Sequence, residues 1–519
     1  MPRLARLAVP LVLSLACDSG TPKADGAKPK AADAKDAGKA DAKTDAKADA
    51  KTDTKTDAKA DTKADTKADT KADGPAPAGD SPATLLVTGQ VDLPGDQKLE
   101  FKAKLDKGAT GYTGTMDIPM QGAEAVPLTG ITVSKTELSF ALPNGASWKG
   151  TIGDDGTIAC AFSQGGANMT CSMKKVDEAA YADAGPKRPQ TPKPPFPYDT
   201  KEVEWDASDK VHLAGTLVTP KTPGPHPAVI FLSGSGQQDR DETLLGHKPF
   251  AVLADKLARS GVASLRYDDR GTGKSTGDLV KFTMETEATD AGTALDLLKK
   301  TEGIDPARIG FIGHSAGGVI APMLAAERPK DVAFLVLIAG SGVKGTELHA
   351  EQTGALLKAG GVPQAQIDEA AKHNGAIYKV LASKKSEEER AKELKTVLEA
   401  AGVKGPAADA QIAMVNSEWF RHFLAYDPAT ALKKTTCPVL VLNGELDVQV
   451  SAEQNVPAIE AALKKAGNKD VTVHRFAGFN HLLQEAKTGM PDEYQTIETT
   501  MHETAIATID AWVKTKAGV

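Results

Sequence analysis

Three residues far apart in this 519-residue chain could together cleave an acyl bond: Ser315, Asp447 and His481. Ser315 is the centre of Gly313-His314-Ser315-Ala316-Gly317, a G-x-S-x-G pentapeptide between a strand-like apolar run (308–312) and a helix-like one (318–327). A serine so placed sits on a sharp strand-to-helix turn that lifts its Oγ clear of the backbone, and glycines two positions to either side keep strand and helix from colliding. The hydroxyl attacks only if a base takes its proton, and the base works best when a carboxylate orients it and stabilises its charged form. Asp447 and His481 supply those groups in that order. Asp447 follows the apolar run 437–442 (CPVLVL) and His481 follows a second strand candidate, 471–476, so both side chains fall just past strand ends. A lone loop His or Asp is usually a solvated surface residue. Two of them, in the required order at two strand ends, point to catalysis.

The tetrahedral intermediate also needs donors for its oxyanion. One is the backbone N–H of Ala316, at the start of the helix after the nucleophile, and the other comes from the Ser-Gly-Ser-Gly turn at 233–236, where Ser235 is the expected donor. Losing one such donor costs on the order of 3 kcal/mol in the transition state.

Residues 198–519 resemble the EstD-type carboxylesterases of the α/β-hydrolase superfamily, which stand beside the serine aminopeptidases. The resemblance is carried by LSGSGQQDRDE (232–242), GHKPF (246–250), LRYDDRGTGKSTG (265–277), IGHSAGG (312–318) and NGELDVQV (443–450). It implies an α/β fold with a doubly wound, mostly parallel sheet, and a small-molecule ester as substrate. Relatives usually carry Glu after the nucleophile and Pro in the first motif. Ala316 and Gln238 stand there in this chain, which removes a charge beside the acyl pocket.

The elements that must position these residues divide the chain into a signal peptide (1–16), a disordered tether (17–82), a small antiparallel β domain (83–176), a Pro-rich linker (177–200) and the hydrolase domain (201–519). Between the apolar strand at 332–339 and the one at 437–442 lie amphipathic, Ala/Lys/Glu-rich helical patterns broken at Gly360, Gly361, Gly402 and Gly405. They read as a helical cap at about 343–435, with Trp419, Phe420 and Phe423 either lining the acyl pocket or packing the cap onto the domain. In the β domain, alternating segments such as 98–105 (KLEFKAKL) signal strands, and the stretches GTMDIPMQGA (114–123) and SQGG (163–166) resemble the accessory domain that precedes EstD-type hydrolases. Cys160 and Cys171 flank a hairpin-length loop and are expected to pair; Cys437, at the start of a core strand, is expected to be a buried thiol.

Arg3 and Arg6 precede a short apolar stretch (7–16) ending at Cys17, the layout of an export signal with a lipid-modifiable cysteine. Ser14 stands where a lipobox normally has leucine. The expected location is therefore exported, in the cell envelope, with membrane contact only through a lipid on Cys17. Behind it, residues 23–73 settle into a repeat of Lys and Asp with a period of four, its lysines at 43, 47, 51, 55, 59, 63, 67 and 71. Like charges at i and i+4 disfavour a helix, and the absence of large apolar residues denies it a core. The whole tether, a flexible coil of about 65 residues, reaches about 45 Å.

Other chemistries fit less well. GTGKST (271–276) ends like a phosphate-binding loop, but the glycine such a loop needs at 268 is Asp268, followed by Asp269, and two carboxylates repel phosphate. The Gly-rich turn is expected to be structural, with Arg266 or Arg270 paired to those neighbouring aspartates. Ten histidines are scattered without zinc-ligand spacing; His247, His314, His422 and His474 read as satisfied core or loop residues, and no metal or cofactor is called for. A net charge of −7 with no basic patch excludes nucleic acid as a partner. The sequence thus points to an exported serine carboxylesterase acting through an acyl-enzyme. The alternatives are an aminopeptidase or amidase on the same triad, or a non-catalytic surface protein whose β domain does the binding.

Overall fold

The computed structural model describes residues 83–519, apart from 94–97, 120–122, 166, 186, 208–209 and 278–281. The expected signal peptide, Cys17 and the tether lie outside the described residues.

The first nine strands are β1 (Thr84–Asp92), β2 (Lys98–Gly108), β3 (Gly111–Ile118), β4 (Ala123–Pro127), β5 (Thr129–Val133), β6 (Glu137–Ala141), β7 (Ser147–Ile152), β8 (Thr157–Gln164) and β9 (Ala167–Val176). They form one sheet in the order β4-β3-β2-β1-β9-β8-β7-β6-β5, antiparallel at every pairing. Alternation does this work: in β2, Leu99, Phe101, Ala103 and Leu105 are buried, and they share a core with Trp148, whose ring lies 4.8–5.5 Å from those of Phe101, Phe140 and Phe162. Cys160 and Cys171 face each other in register across β8 and β9 and are joined by a disulfide.

A short helix, α1 (Glu178–Asp183), leads into the linker. There the half-buried Arg188 donates to the carbonyls of Leu245, Tyr494, Gln495 and Ile497, and Gln190 bonds Thr500, Met501 and Glu503. The linker is thus strapped to the hydrolase by side-chain hydrogen bonds.

The second sheet comprises β10 (Tyr198–Asp206), β11 (His212–Pro220), β12 (His226–Leu232), β13 (Ala263–Tyr267), β14 (Ile304–His314), β15 (Leu335–Ile338), β16 (Val439–Gly444) and β17 (Val471–Phe476). Their order is β10-β11-β13-β12-β14-β15-β16-β17, with β11 antiparallel to both neighbours and β13 to β17 mutually parallel. The continuous apolar runs of the sequence are explained by burial on both faces. Ala228, Ile230, Leu335, Leu337, Val439 and Val441 join the core on one face, and Val229, Phe231, Val336, Ile338, Leu440 and Leu442 the core on the other. Each such side chain other than Ala228 stabilises by about 1.5–3 kcal/mol.

The second of these faces is covered by α2 (Pro249–Arg259) and, from the chain's end, the helix Glu503–Ala517. Over the first lie α3 (Met284–Lys299) and α4 (Gly317–Glu327), then an insert between β15 and β16 of six helices among the described residues: α5 (Gly345–Ala359), α6 (Gln364–Leu381), α7 (Glu387–Ala400), α8 (Pro406–Val415), α9 (Glu418–Ala425) and α10 (Ala429–Leu432). The helix Ala452–Lys465 completes that face. Gly360 caps α5 and Gly405 precedes α8, as the sequence led one to expect; the break between α6 and α7 is instead set by Ser386, whose hydroxyl accepts from the Glu389 N–H in a capping box.

Two expectations need correction. Arg266 and Arg270 do not pair with Asp268 and Asp269: Arg266 meets Asp241, Arg270 meets Asp290, and Asp268 is held by Arg240 at 2.8 Å. Side chains adjacent in a strand-end turn point to different layers, so the partners come from across the fold. Cys437 lies two residues ahead of β16 and is half-buried against the core edge, where burial pushes its thiol up to about 12. The Gly-rich turn at 271–276 spends its lysine on Glu202 (3.0 Å), and its Ser275 hydroxyl bonds Asp268 O and Ala214 N–H.

Candidate active site

β14 ends at His314 and α4 begins at Gly317, so Ser315 must reverse the chain within two residues. It does so at φ +52°, a left-handed conformation rare for a side chain larger than glycine and costing on the order of 1–3 kcal/mol. Its N–H is tied to Ile338 O at 2.8 Å. The flanking glycines are sterically required: a Cβ on Gly313 would lie 2.1 Å from Gly317 O, and one on Gly317 would lie 2.1 Å from Leu232 O.

Asp447 follows β16 and His481 follows β17, neighbouring parallel strands whose ends bring the two loops together. Gly444 permits the approach, since a Cβ there would lie 2.2 Å from Phe479 O. Both side chains are buried, and His481 Nδ1 meets Asp447 Oδ2 at 2.8 Å. The other carboxylate oxygen accepts the N–H groups of Gln449 and Val450, each at 2.8 Å, and Asn443 Nδ2 adds a bond to Oδ2, so the acid is fixed by its own loop. The base loop is fixed by buried Asn480, which accepts from Leu482 N–H and Gln484 N–H. Ser315 and His481 line the same cavity.

Ser235 and Ala316 line it as well. The turn holding Ser235 is pinned from behind: Ser233 Oγ and Gln238 N–H donate to Asp269 Oδ2, both at 2.9 Å, and Gln238 Nε2 donates to Ser235 O. Burial raises the Asp269 carboxyl well above the usual range, as do the charges of Asp290 and Glu242, against the two hydrogen bonds.

Glu242 and His314 form a second buried pair that the sequence reading did not single out, although both lie inside quoted motifs. His314 Nδ1 meets Glu242 Oε1 at 2.8 Å, and its Nε2 meets His481 O at 3.2 Å. The His481 carbonyl can only accept, which places a hydrogen on Nε2, and an ionised Glu242 favours a second one on Nδ1. Burial opposes a charged ring, but Glu242 and the His481 carbonyl hold the His314 pKa above its ordinary value. The pair spans 72 positions in sequence, and the only signal would have been a buried acid and histidine in one domain.

The cavity, about 50 Å³, is walled on its other side by the insert, through Leu348, His349 and Gln352 of α5 and Phe423 of α9. Trp419 and Phe420 pack into the core instead, so the aromatic cluster divides between the two expected roles. His349 Nδ1 bonds Tyr378 Oη and its Nε2 has no partner, while burial lowers its pKa to about 4. Among the described residues no cluster of three His, Cys, Asp or Glu side chains could hold a metal, and no helix is long and apolar enough to cross a membrane.

The model of the X-Pro dipeptidyl-peptidase (S15 family) matches residues 209–477. Esterase EstD of Thermotoga maritima is 29% identical over 273 residues, 52% of this chain and 58% of that protein. The 2,6-dihydropseudooxynicotine hydrolase of Paenarthrobacter nicotinovorans is 32% identical over 117 residues, 21% of this chain and 28% of that protein. The chain thus spans less than two thirds of the length of either relative. Among solved structures, the Pyrococcus furiosus esterase Pf2001 superposes with a TM-score of 0.39 at 18% identity, covering 64% of this chain and 99% of that one.

Proposed function

The chain belongs to the X-Pro dipeptidyl-peptidase (S15) family and is a homologue of the EstD-type esterases of the α/β-hydrolase superfamily, and from that premise we propose that it cleaves carboxylic esters through an acyl-enzyme on Ser315. Ser315 Oγ attacks the ester carbonyl while His481 Nε2 takes its proton, and Asp447 holds the imidazole by Nδ1 and stabilises it once charged. The N–H groups of Ala316 and Ser235 receive the oxyanion. His481 returns the proton to the departing alcohol, and a water activated by the same base releases the acid. The α5–α10 insert acts as a cap that shapes the acyl pocket. The observation that carries this reading is the 2.8 Å bond between His481 and Asp447, with His481 and a backbone-strained Ser315 on one cavity. A fluorophosphonate should label the wild type at Ser315 and leave Ser315→Ala unlabelled; labelling that persists on another serine overturns the assignment.

The family's description makes peptide cleavage the second reading. An aminopeptidase or dipeptidyl-peptidase must bind a free α-ammonium, which calls for carboxylates near the nucleophile. The described residues that line this cavity include no Asp or Glu, and Ala316 follows the nucleophile. That favours esters of short acids over aminoacyl or Xaa-Pro amides. A kcat/KM for an Xaa-Pro nitroanilide equal to that for p-nitrophenyl butyrate reverses the order. The proposed location is the cell envelope, with Cys17 carrying a lipid; Cys17→Ser should abolish labelling by a fatty-acid analogue, and equal labelling of both forms refutes the anchor.

A further inference from the structure

We propose that Glu242 and His314 are a positioning pair that locks the oxyanion turn to the loop carrying the base. The inference rests on the ester-hydrolase reading above and concerns the same site. One atom, Glu242 Oε1, accepts both the Gly234 N–H at 2.6 Å and His314 Nδ1 at 2.8 Å. His314 Nε2 then donates to the carbonyl of His481 itself at 3.2 Å, and the two imidazole rings lie 4.7 Å apart. Gly234 directly precedes Ser235, the second oxyanion donor, and His314 directly precedes the nucleophile. Three loops that must agree to within a fraction of an ångström are therefore joined through one carboxylate oxygen and the imidazole it holds.

Two features set this pair apart from ordinary core packing. Glu242 is buried yet stands at φ +53°, a strained backbone for a non-glycine residue, and its second oxygen, Oε2, has no partner. A buried ion pair is also a poor stabiliser, since apolar groups of the same volume commonly do as well. What the Glu242–His314 pair supplies that apolar packing cannot is two directed bonds at once, one to the oxyanion side and one to the base loop.

Glu242→Gln is the discriminating variant. Its amide oxygen can still accept from Gly234 N–H, but a neutral His314 that keeps its Nε2–H on the His481 carbonyl presents a bare Nδ1, which only the amide nitrogen of Gln can serve, so one atom no longer holds both the turn and the ring. The expected result on p-nitrophenyl butyrate is a 10- to 100-fold fall in kcat, with KM within about threefold, counted per site that labels with a fluorophosphonate. His314→Gln should behave similarly, Glu242→Asp should recover part of the loss, and the affinity for an alkyl trifluoromethyl ketone, a mimic of the tetrahedral state, should weaken in parallel with kcat/KM. A purely structural role would lower the labelled fraction and leave kcat per labelled site alone. If the wild type labels at Ser315 and hydrolyses esters, yet both Glu242→Gln and His314→Gln keep kcat per site within twofold, the positioning role is overturned and the function reading stands. If the wild type neither labels nor hydrolyses esters, both readings fall.

Discussion

The cavity has two walls of different construction. On the sheet side every group proposed for the chemistry stands at a strand end: Ser315 after β14, Asp447 after β16, His481 after β17, Ser235 after β12. There the polar atoms are tied to backbone, as with Asp447 on the Gln449 and Val450 N–H groups. On the insert side Leu348, His349, Gln352 and Phe423 project from helices, and His349 leaves Nε2 unpartnered. Backbone-fixed loops deliver atoms to tight tolerances; helix side chains define a volume. Changes on the sheet side should therefore alter rate, and changes on the insert side should alter which substrate is accepted.

The largest effect tests the sheet side directly. Ser315→Ala and His481→Ala should each lower kcat by at least about 10⁴-fold, and the double variant should be little worse, because the two act as one unit. Thermal unfolding should barely move in Ser315→Ala, since the turn depends on Gly313 and Gly317 and not on the hydroxyl. Asp447→Asn comes next, at about 10³- to 10⁴-fold, by presenting the wrong hydrogen-bonding group to Nδ1. If Asp447→Asn were silent while an Asp268 or Asp269 variant was dead, the acid would have been misassigned.

The two walls also differ in how far they could be read from sequence. The sheet side was legible because its signals are local: a glycine-flanked serine, and strand-like runs that stop just before an acid and a histidine, keep their meaning without knowledge of the fold. The strand 471–476 was placed to the residue, and 437–442 differs from β16 by two residues at each end. What local signals could not give were partners set by topology. Glu242 finds His314 72 positions away, and Arg266 and Arg270 choose Asp241 and Asp290 over their sequence neighbours. The linker's proline content announced a spacer, yet Arg188 and Gln190 bond residues some 300 positions on, where no periodicity carries information. On the insert side, helical patterning gave the helices but not their facing, so Phe423 could not be told from Phe420.

Phe423→Ala tests that wall. Phe423 stacks on Trp419 at 5.4 Å and lines the cavity of about 50 Å³ that Ser315 shares. Truncation should raise kcat/KM for p-nitrophenyl octanoate relative to butyrate by about tenfold, the scale of one or two methylenes newly accommodated. The rate on acetate should stay within about threefold. A uniform loss on all chain lengths would mean that Phe423 supports the catalytic loops, and the division between the walls would fail.

The smallest effect separates the walls by the sign of their response to pH. On the sheet side His314 has its folded pKa raised above the ordinary 6.5, so the folded state holds the proton longer than the unfolded chain. Its contribution to stability is complete below about pH 6.5 and is lost as pH rises through the raised value. On the insert side burial lowers His349 to about 4, so between pH 6.5 and 4 the unfolded chain binds the extra proton and stability falls as pH drops. His247, lowered to about 4 by burial and then by the charge of Arg188, adds to the same acid limb. Thermal unfolding followed from pH 4 to 9 should therefore show His349→Phe flattening the acid limb in part and His314→Gln flattening the alkaline limb. Each pKa unit is worth about 1.4 kcal/mol, hence only a few degrees in Tm for a domain of this size. An acid limb unchanged in His349→Phe would mean that the His349 imidazole is charged when folded, which its bond to Tyr378 and its buried, unpartnered Nε2 do not support.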